Sequence, residues 1–341
     1  MKYLPKKRKI LQLLFGFFFF IIAIRQIDFH TISAYLQGCQ PIFLIIALLV
    51  TILSILIRLI FRKYLLGIFA EIDFKVVVKA FFANSYLSNF LPARIGGIFG
   101  EPWGLYSFSK SKIRFSDALA FSIIIILVQN FRKIILTLLG LIWFFSIFPF
   151  YYNLIIGLAI LMYFGYSFLF FWALFPLMNL NGLIGSIKSI LPAKAISLFK
   201  SLSEMSKETS TSARYFFKYP QKTIFGLSAL VIISSLLESL RMWLLLLSFG
   251  VSFNFLYLIL IPSLAYSVTA FPITPGGFGV AEISGLLVFK SLGIPSEIAV
   301  SVIFLDRMLS TYWAFLFGAF LLPYLKLPTI SDFALPGKKN L

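Results

Sequence analysis

Long apolar runs separated by short basic connectors dominate the chain. The runs cover about residues 10–27, 41–61, 116–148, 154–177, 223–249 and 297–325. Each approaches or exceeds the ~20 residues that a helix needs to cross the hydrocarbon core of a bilayer. Two further apolar pieces, 76–91 and 254–271, each run into a proline–glycine break and then a second short apolar piece. The pattern predicts an all-α polytopic membrane protein with about six full spans and two proline/glycine-broken re-entrant hairpins. The run 116–148 is interrupted by Asn130, Arg132 and Lys133, which leaves one crossing or two open.

The second break, Phe271-Pro272-Ile273-Thr274-Pro275-Gly276-Gly277-Phe278-Gly279-Val280-Ala281-Glu282, is the most informative stretch. Each proline removes a backbone donor and blocks the preceding turn, so no continuous helix survives there. Broken backbone at membrane depth is tolerated only where protein buries it or a wet cavity borders it.

The first half of the chain resembles the second at a shift of about 180 residues. Tyr86 falls on Tyr266, Pro92 on Pro272, Gly96-Gly97 on Gly276-Gly277, and Asp117 opposite Glu297. Half A spans about 10–150 and half B about 154–325 of a single transmembrane domain. Arg58, Arg62, Lys63, Lys75 and Lys79 before the first break, and Lys110, Lys112 and Arg114 after it, read as cytoplasmic flanks. The loops near Tyr151 and Ser252 are nearly uncharged and read as external, so the second hairpin starts outside. Two similar halves in opposite orientation form an inverted repeat, whose site lies at the repeat interface.

Composition agrees: 60% of residues are hydrophobic and 12% charged, with mean hydropathy +0.98. The net charge of +18 sits in loops, so it reads as topology and lipid-headgroup contact, not nucleic-acid binding. The basic, serine-rich segment 179–221 carries Ile196, Phe199, Leu202 and Met205 at helical spacing, which predicts a cytoplasmic amphipathic linker in the interface. Lys6-Lys7-Arg8-Lys9 ahead of run 10–27, without a small-residue cleavage pattern, predicts an uncleaved first span. Both termini are expected in the cytoplasm, and the protein in the cell's inner membrane. One cysteine, Cys39, and one histidine, His30, argue against a disulfide, a zinc site or a haem site. No phosphate-loop pattern supports ATP hydrolysis, and no cofactor is expected.

Ionised residues within spans each ask for a reason, since one costs ~2.5–3.5 kcal/mol at the bilayer centre on insertion scales. The candidates for substrate contact are Arg94, Glu101, Arg132, Glu238, Arg241, Glu282, Asp306 and Arg307. Glu238 and Arg241, three apart, are placed to pair on one helix, as a structural pair or as part of a site. Glu282 is the expected partner of Arg307. A helix starting after Gly96-Gly97 or Gly276-Gly277 would aim free N–H groups at an anion, or the glycines would serve close helix packing. Asn84, Ser85, Ser88 and Asn89 form a polar stripe that suits a headgroup path or interhelical hydrogen bonds.

Phe271-Pro272-x-x-Pro275-Gly276-Gly277-Phe278-Gly279-Val280-x-Glu282, then Leu292-Gly293-Ile294, Ala299 and Asp306-Arg307, resemble the flippase-like transmembrane family named after lysylphosphatidylglycerol synthase. Leu91-Pro92-Ala93-Arg94-Ile95-Gly96-Gly97 is similar to that family's earlier motif. The chain departs from the pattern at Phe99-Gly100-Glu101-Pro102, where the family usually carries an arginine. The resemblance implies movement of a phospholipid or a lipid-linked headgroup between leaflets. It covers the membrane part alone and carries no synthetic activity with it. The expected function is thus a lipid flippase without its own ATPase, acting on an anionic phospholipid or a polyprenyl-phosphate or glycolipid headgroup. The alternative is an integral membrane transferase acting on a lipid-phosphate, or a membrane subunit that partners such an enzyme.

Overall fold

The computed structural model describes residues 39–90, 95–110, 112–174, 207–214, 216, 221–271 and 279–325. The expected first span 10–27, most of the linker 179–221, Arg94, Gly276 and Gly277 lie outside these residues. All regular structure among the described residues is helical.

Helix α1 (Pro41–Gly67) starts with proline in its first turn, where no backbone donor is lost. At 1.5 Å per residue its 27 residues reach about 40 Å, enough to cross a bilayer. Helices α2 (Phe74–Phe90) and α3 (Ile95–Phe108) flank the first break and pack closely on each other. With 17 and 14 residues they reach only about 25 and 21 Å, short of the ~30 Å hydrocarbon thickness. Helix α4 (Phe115–Phe144) is one continuous helix of 30 residues, so the polar interruption at Asn130, Arg132 and Lys133 does not divide it. Helices α5 (Phe150–Leu174) and α6 (Gln221–Ser248) complete the long elements of the middle of the chain.

Around the second break the backbone is more fragmented. The apolar piece 254–271 is split into Phe255–Leu258, Ile261–Ala265 and a 3-10 turn, Ser267–Ala270. After the break come α7 (Val280–Ser291) and α8 (Ser296–Arg307). A π-turn, Met308–Tyr312, joins α8 to α9 (Trp313–Leu321) without a loop. Among the described residues, five stretches are long and apolar enough to span: Pro41–Gly67, Phe115–Phe144, Phe150–Leu169, Ala229–Ser248 and Ser296–Tyr324. Their outward side chains, such as Leu49, Trp143, Phe150, Leu161 and Phe320, are exposed apolar groups that suit lipid. The chain is an integral membrane protein.

At the 180-residue shift α1 falls on α6, and α4 falls on the path from α8 through α9. The mates α1 and α6 pack along each other. They run antiparallel: Gln40 N–H, at the start of α1, donates to Ser248 O, at the end of α6, at 2.8 Å. A second correspondence lies in two glycine contacts. A Cβ on Gly318 of α9 would fall 2.2 Å from Phe82 O of α2, and one on Gly140 of α4 would fall 2.8 Å from the Leu264 side chain. Helix α9 is thus pressed against α2, and α4 against the piece before the second break, each at a glycine, as small-residue packing in membranes allows. Beside Gly318, Tyr86 stacks on Phe315 with ring centres 4.8 Å apart.

At the start of α4, Asp117 accepts from Arg114 Nε and Nη2, each at 2.8 Å, and from Ser212 Oγ at 2.5 Å. The hydrogen bonds from Arg114, first among the causes, raise its guanidinium above the usual value. The Ser212 hydrogen bond ties helical residues 207–214 to α4, with Ala213 and Phe216 buried in the apolar cluster around Leu119 and Phe121.

Candidate functional site

The helices enclose a cavity of about 510 Å³. Its wall takes side chains from five helices: Arg58 and Arg62 of α1, Glu101 of α3, Arg132 and Lys133 of α4, Glu238 and Arg241 of α6, and Asp306 and Arg307 of α8. Those are six cations against three carboxylates, a surplus of three positive charges around one space. Water-exposed pairs at that spacing would contribute little, but in a low-dielectric interior each unpaired charge is costly. The arrangement of partners is therefore informative.

Two pairs are closed off. Arg62 Nε donates to Glu101 Oε1 at 2.6 Å, with both side chains nearly inaccessible, and its guanidinium lies 4.9 Å from the centre of the Phe81 ring. Arg241 and Asp306 meet at 2.7 Å, and Tyr266 OH donates to the other Asp306 oxygen at 2.6 Å. Arg241 is 4% exposed, yet its Nη1 has no hydrogen-bond partner.

Two further groupings are more open. Glu238 bridges two arginines, with Oε2 3.2 Å from Arg132 Nη1 and Oε1 3.6 Å from Arg58 Nη1. Arg132 Nη1 also donates to Ser235 Oγ at 2.6 Å, while its Nε is buried without a hydrogen-bond partner. Arg307 Nε donates to Glu282 Oε1 at 2.9 Å, the partner expected from the sequence, and Tyr312 OH donates to the same oxygen at 3.1 Å. Glu282 Oε2 is buried and accepts nothing. The π-turn after Arg307 helps to set this geometry, because Tyr312 reaches Glu282 while Ser310 and Thr311 line the cavity. Such turns occur often at functional sites.

The pairing of Glu238 with Arg241 on one helix is corrected by these contacts. Three-residue spacing permits a local pair, but side chains of α1, α4 and α8 bring other partners to both residues. Arg58 and Arg62, read from the sequence as flank charges, also line the cavity, on a helix that continues to Gly67. Their four-residue spacing, one helical turn, was the available signal. Tyr266, which caps Asp306, had no chemical signal in the sequence beyond its repeat mate Tyr86.

The polar stripe faces the same space: Asn84, Ser85, Ser88 and Asn89 all line it. Ser85 Oγ and Asn89 Nδ2 spend their donors on their own helix, to Phe81 O and Ser85 O. Asn84 Oδ1 is buried without a hydrogen-bond partner. Gly97 lines the cavity one turn before Glu101, and Gly96 lies in the first turn of α3.

Residues 9–318 match the family described as the lysylphosphatidylglycerol synthase TM region. The chain is similar to a UPF0104 membrane protein of Methanocaldococcus jannaschii, at 25% identity over 315 residues, covering 87% of this chain and 89% of that one. A UPF0104 membrane protein of Pyrococcus horikoshii is 24% identical over 294 residues, 82% of this chain and 86% of its own length. A third, from Methanothermobacter thermautotrophicus, is 34% identical over 106 residues, 31% of this chain and 32% of its own. No solved structure matches the chain significantly. A family match that takes in most of the chain and every charged residue of the cavity leaves one conclusion: the chain belongs to the lysylphosphatidylglycerol synthase TM region family.

Proposed function

We propose that the protein is a lipid transporter of the inner membrane that moves an anionic headgroup between leaflets without an ATPase of its own. The headgroup belongs to a phospholipid or to a polyprenyl-phosphate or glycolipid carrier. The observation that carries this reading is the cationic cavity built from both halves among helices long enough to span. A headgroup moving through hydrocarbon needs a polar, charge-matched interior, and this one has a surplus of three positive charges.

An inverted repeat with two re-entrant hairpins and cytoplasmic termini fits the antiparallel packing of α1 with α6 and the short reach of α2 and α3. Each half would open the cavity to one leaflet by rocking against the other, as inverted-repeat transporters do. Arg94, Gly96 and Gly97 at the first break, and Gly276 and Gly277 at the second, are the proposed entry points beside the cavity.

One observation favours a second reading. Glu282 Oε2 has no hydrogen-bond partner, so that carboxylate could serve as general base in a transferase acting on a lipid-phosphate. Both readings meet one experiment. Purified protein is reconstituted into liposomes with headgroup-labelled phosphatidylglycerol, and an impermeant quencher reports inner-leaflet label over time. Protein-dependent loss of protection with the lipid chemically unchanged is the expected result. A static label across phosphatidylglycerol, phosphatidylinositol and a polyprenyl-phosphate sugar would overturn the transporter, and a new lipid product would establish the transferase.

A further inference from the structure

The cavity's charges are unevenly satisfied, and the unevenness has a position. Arg62 and Arg241 each hold a private carboxylate at 2.6–2.7 Å. Glu238 is instead shared by Arg58 and Arg132 at longer range, 3.6 and 3.2 Å. Beside that shared carboxylate, two guanidinium nitrogens, Arg132 Nε and Arg241 Nη1, find no hydrogen-bond partner among the described residues. Arg241 is 4% exposed and lines the cavity. A buried guanidinium donor with nothing to donate to is costly, and persists where a ligand supplies the acceptor.

From this we infer that the cavity centre is a binding site for a single phosphate group, held by Arg132 and Arg241, and that Glu238 is its internal competitor. The inference rests on the transport reading and gives its site a chemistry. A phosphate offers the several acceptor oxygens that match two planar guanidinium forks, which a carboxylate held at 3.2–3.6 Å does not fill.

Competition has a mechanical meaning here. Glu238 holds α6 to α1 through Arg58 and to α4 through Arg132. A phosphate that takes over Arg132 frees Glu238 from one neighbour and opens the Arg132–Glu238 bridge between α4 and α6 while it is bound. When the phosphate leaves, the carboxylate returns and restores the bridge. An internal anion also keeps the site from holding its ligand too tightly, since conduction needs binding strong enough to enter and weak enough to leave.

The test is ligand binding, read separately from transport. Purified protein in a non-ionic detergent is titrated with dihexanoylphosphatidylglycerol, with inorganic phosphate and with the methyl ester of a short-chain fatty acid as an uncharged control. Thermal unfolding reports the binding. The expected result is a midpoint rising with the phosphate-bearing probes and not with the ester. Glu238→Gln should tighten phosphate binding by about tenfold, because a competing charge is removed, while slowing translocation. Arg132→Gln and Arg241→Lys should each weaken it by tenfold or more. Should Glu238→Gln fail to fold, Glu238→Asp serves: its shorter side chain cannot span both arginines, so it should tighten binding by a smaller factor.

A midpoint that responds to dihexanoylphosphatidylglycerol alone identifies a lipid phosphate, and one that responds to both probes identifies the phosphate group itself. Either supports the site. Glu238 variants that bind no more tightly than the parent overturn the competitor, and unchanged binding in both arginine variants overturns the site. Binding without translocation in liposomes would sink the transporter and leave the site standing. Translocation without phosphate-dependent stabilisation would do the reverse.

Discussion

Arg58 of α1 and Glu238 of α6 lie 180 residues apart, and their side chains face each other at 3.6 Å across the cavity. That separation equals the shift of the proposed repeat. An inverted repeat of that kind would pass its axis through this contact, with opposite charges on the two sides of it.

The first prediction concerns that contact. Glu238→Gln strips two arginines of their shared counter-ion, whereas Arg58→Gln leaves Arg132 in place. The glutamate variant should lose more thermal stability in detergent than the arginine variant. The double variant should fall short of the sum by about 0.5–3 kcal/mol, the range for coupled neighbours. Additive losses would separate the two side chains energetically.

Asp306 gives a sharper case. Asp306→Asn leaves the Arg241 guanidinium buried without its carboxylate, which should cost about 3–5 kcal/mol of folding stability. Tyr266→Phe removes one donor to Asp306 and should cost about 1–3 kcal/mol. Unfolding midpoints of the two variants in the same detergent test the order, and a tyrosine variant as damaged as the asparagine one would contradict it.

Gly318 is the third. A methyl group there meets a backbone oxygen, Phe82 O, which cannot swing aside as a side chain can. Gly318→Ala should cost about 1–3 kcal/mol or more, through displacement of α9 from α2. Gly140→Ala meets only the Leu264 side chain and should cost less. Protein yield and unfolding midpoint would separate them.

For transport, Arg307→Ala and Glu282→Gln break the same contact from opposite sides. Both should lower translocation by tenfold or more in folded protein, the lost free energy being about 1.4 kcal/mol or greater. Wild-type rates in both, with intact unfolding transitions, would remove this pair from the pathway.

Much of the fold was readable in the sequence because span length is a property of composition alone. The run 116–148 was ambiguous only because Arg132 and Lys133 were judged against lipid; both line the cavity, so one continuous helix carries them at no such cost. The Glu282–Arg307 contact was legible because each charge lacked a local alternative. Glu238 had one, Arg241 a single turn away, and the local choice was wrong because α1, α4 and α8 offered closer partners. The cavity role of Arg58 and Arg62 was hidden for a related reason. Charge near the end of an apolar run reads first as topology, and α1 runs on past both to Gly67.

The π-turn at Met308–Tyr312 fixes phase as well as position. One residue more than an α-helical turn is wound into the last span, and each residue in an α-helix advances the face by about 100°. Everything before the turn is thereby clocked to the cavity, where Asp306 and Arg307 point inward, and everything after it to α2, where Phe315 and Gly318 meet Tyr86 and Phe82. A plain α-helix of the same sequence could satisfy only one of these appointments. The span thus behaves as two helices on a single axle: deleting one residue within 308–312 would leave an ordinary α-helix with both halves still in mesh, whereas one residue added there would turn the rear half out of it.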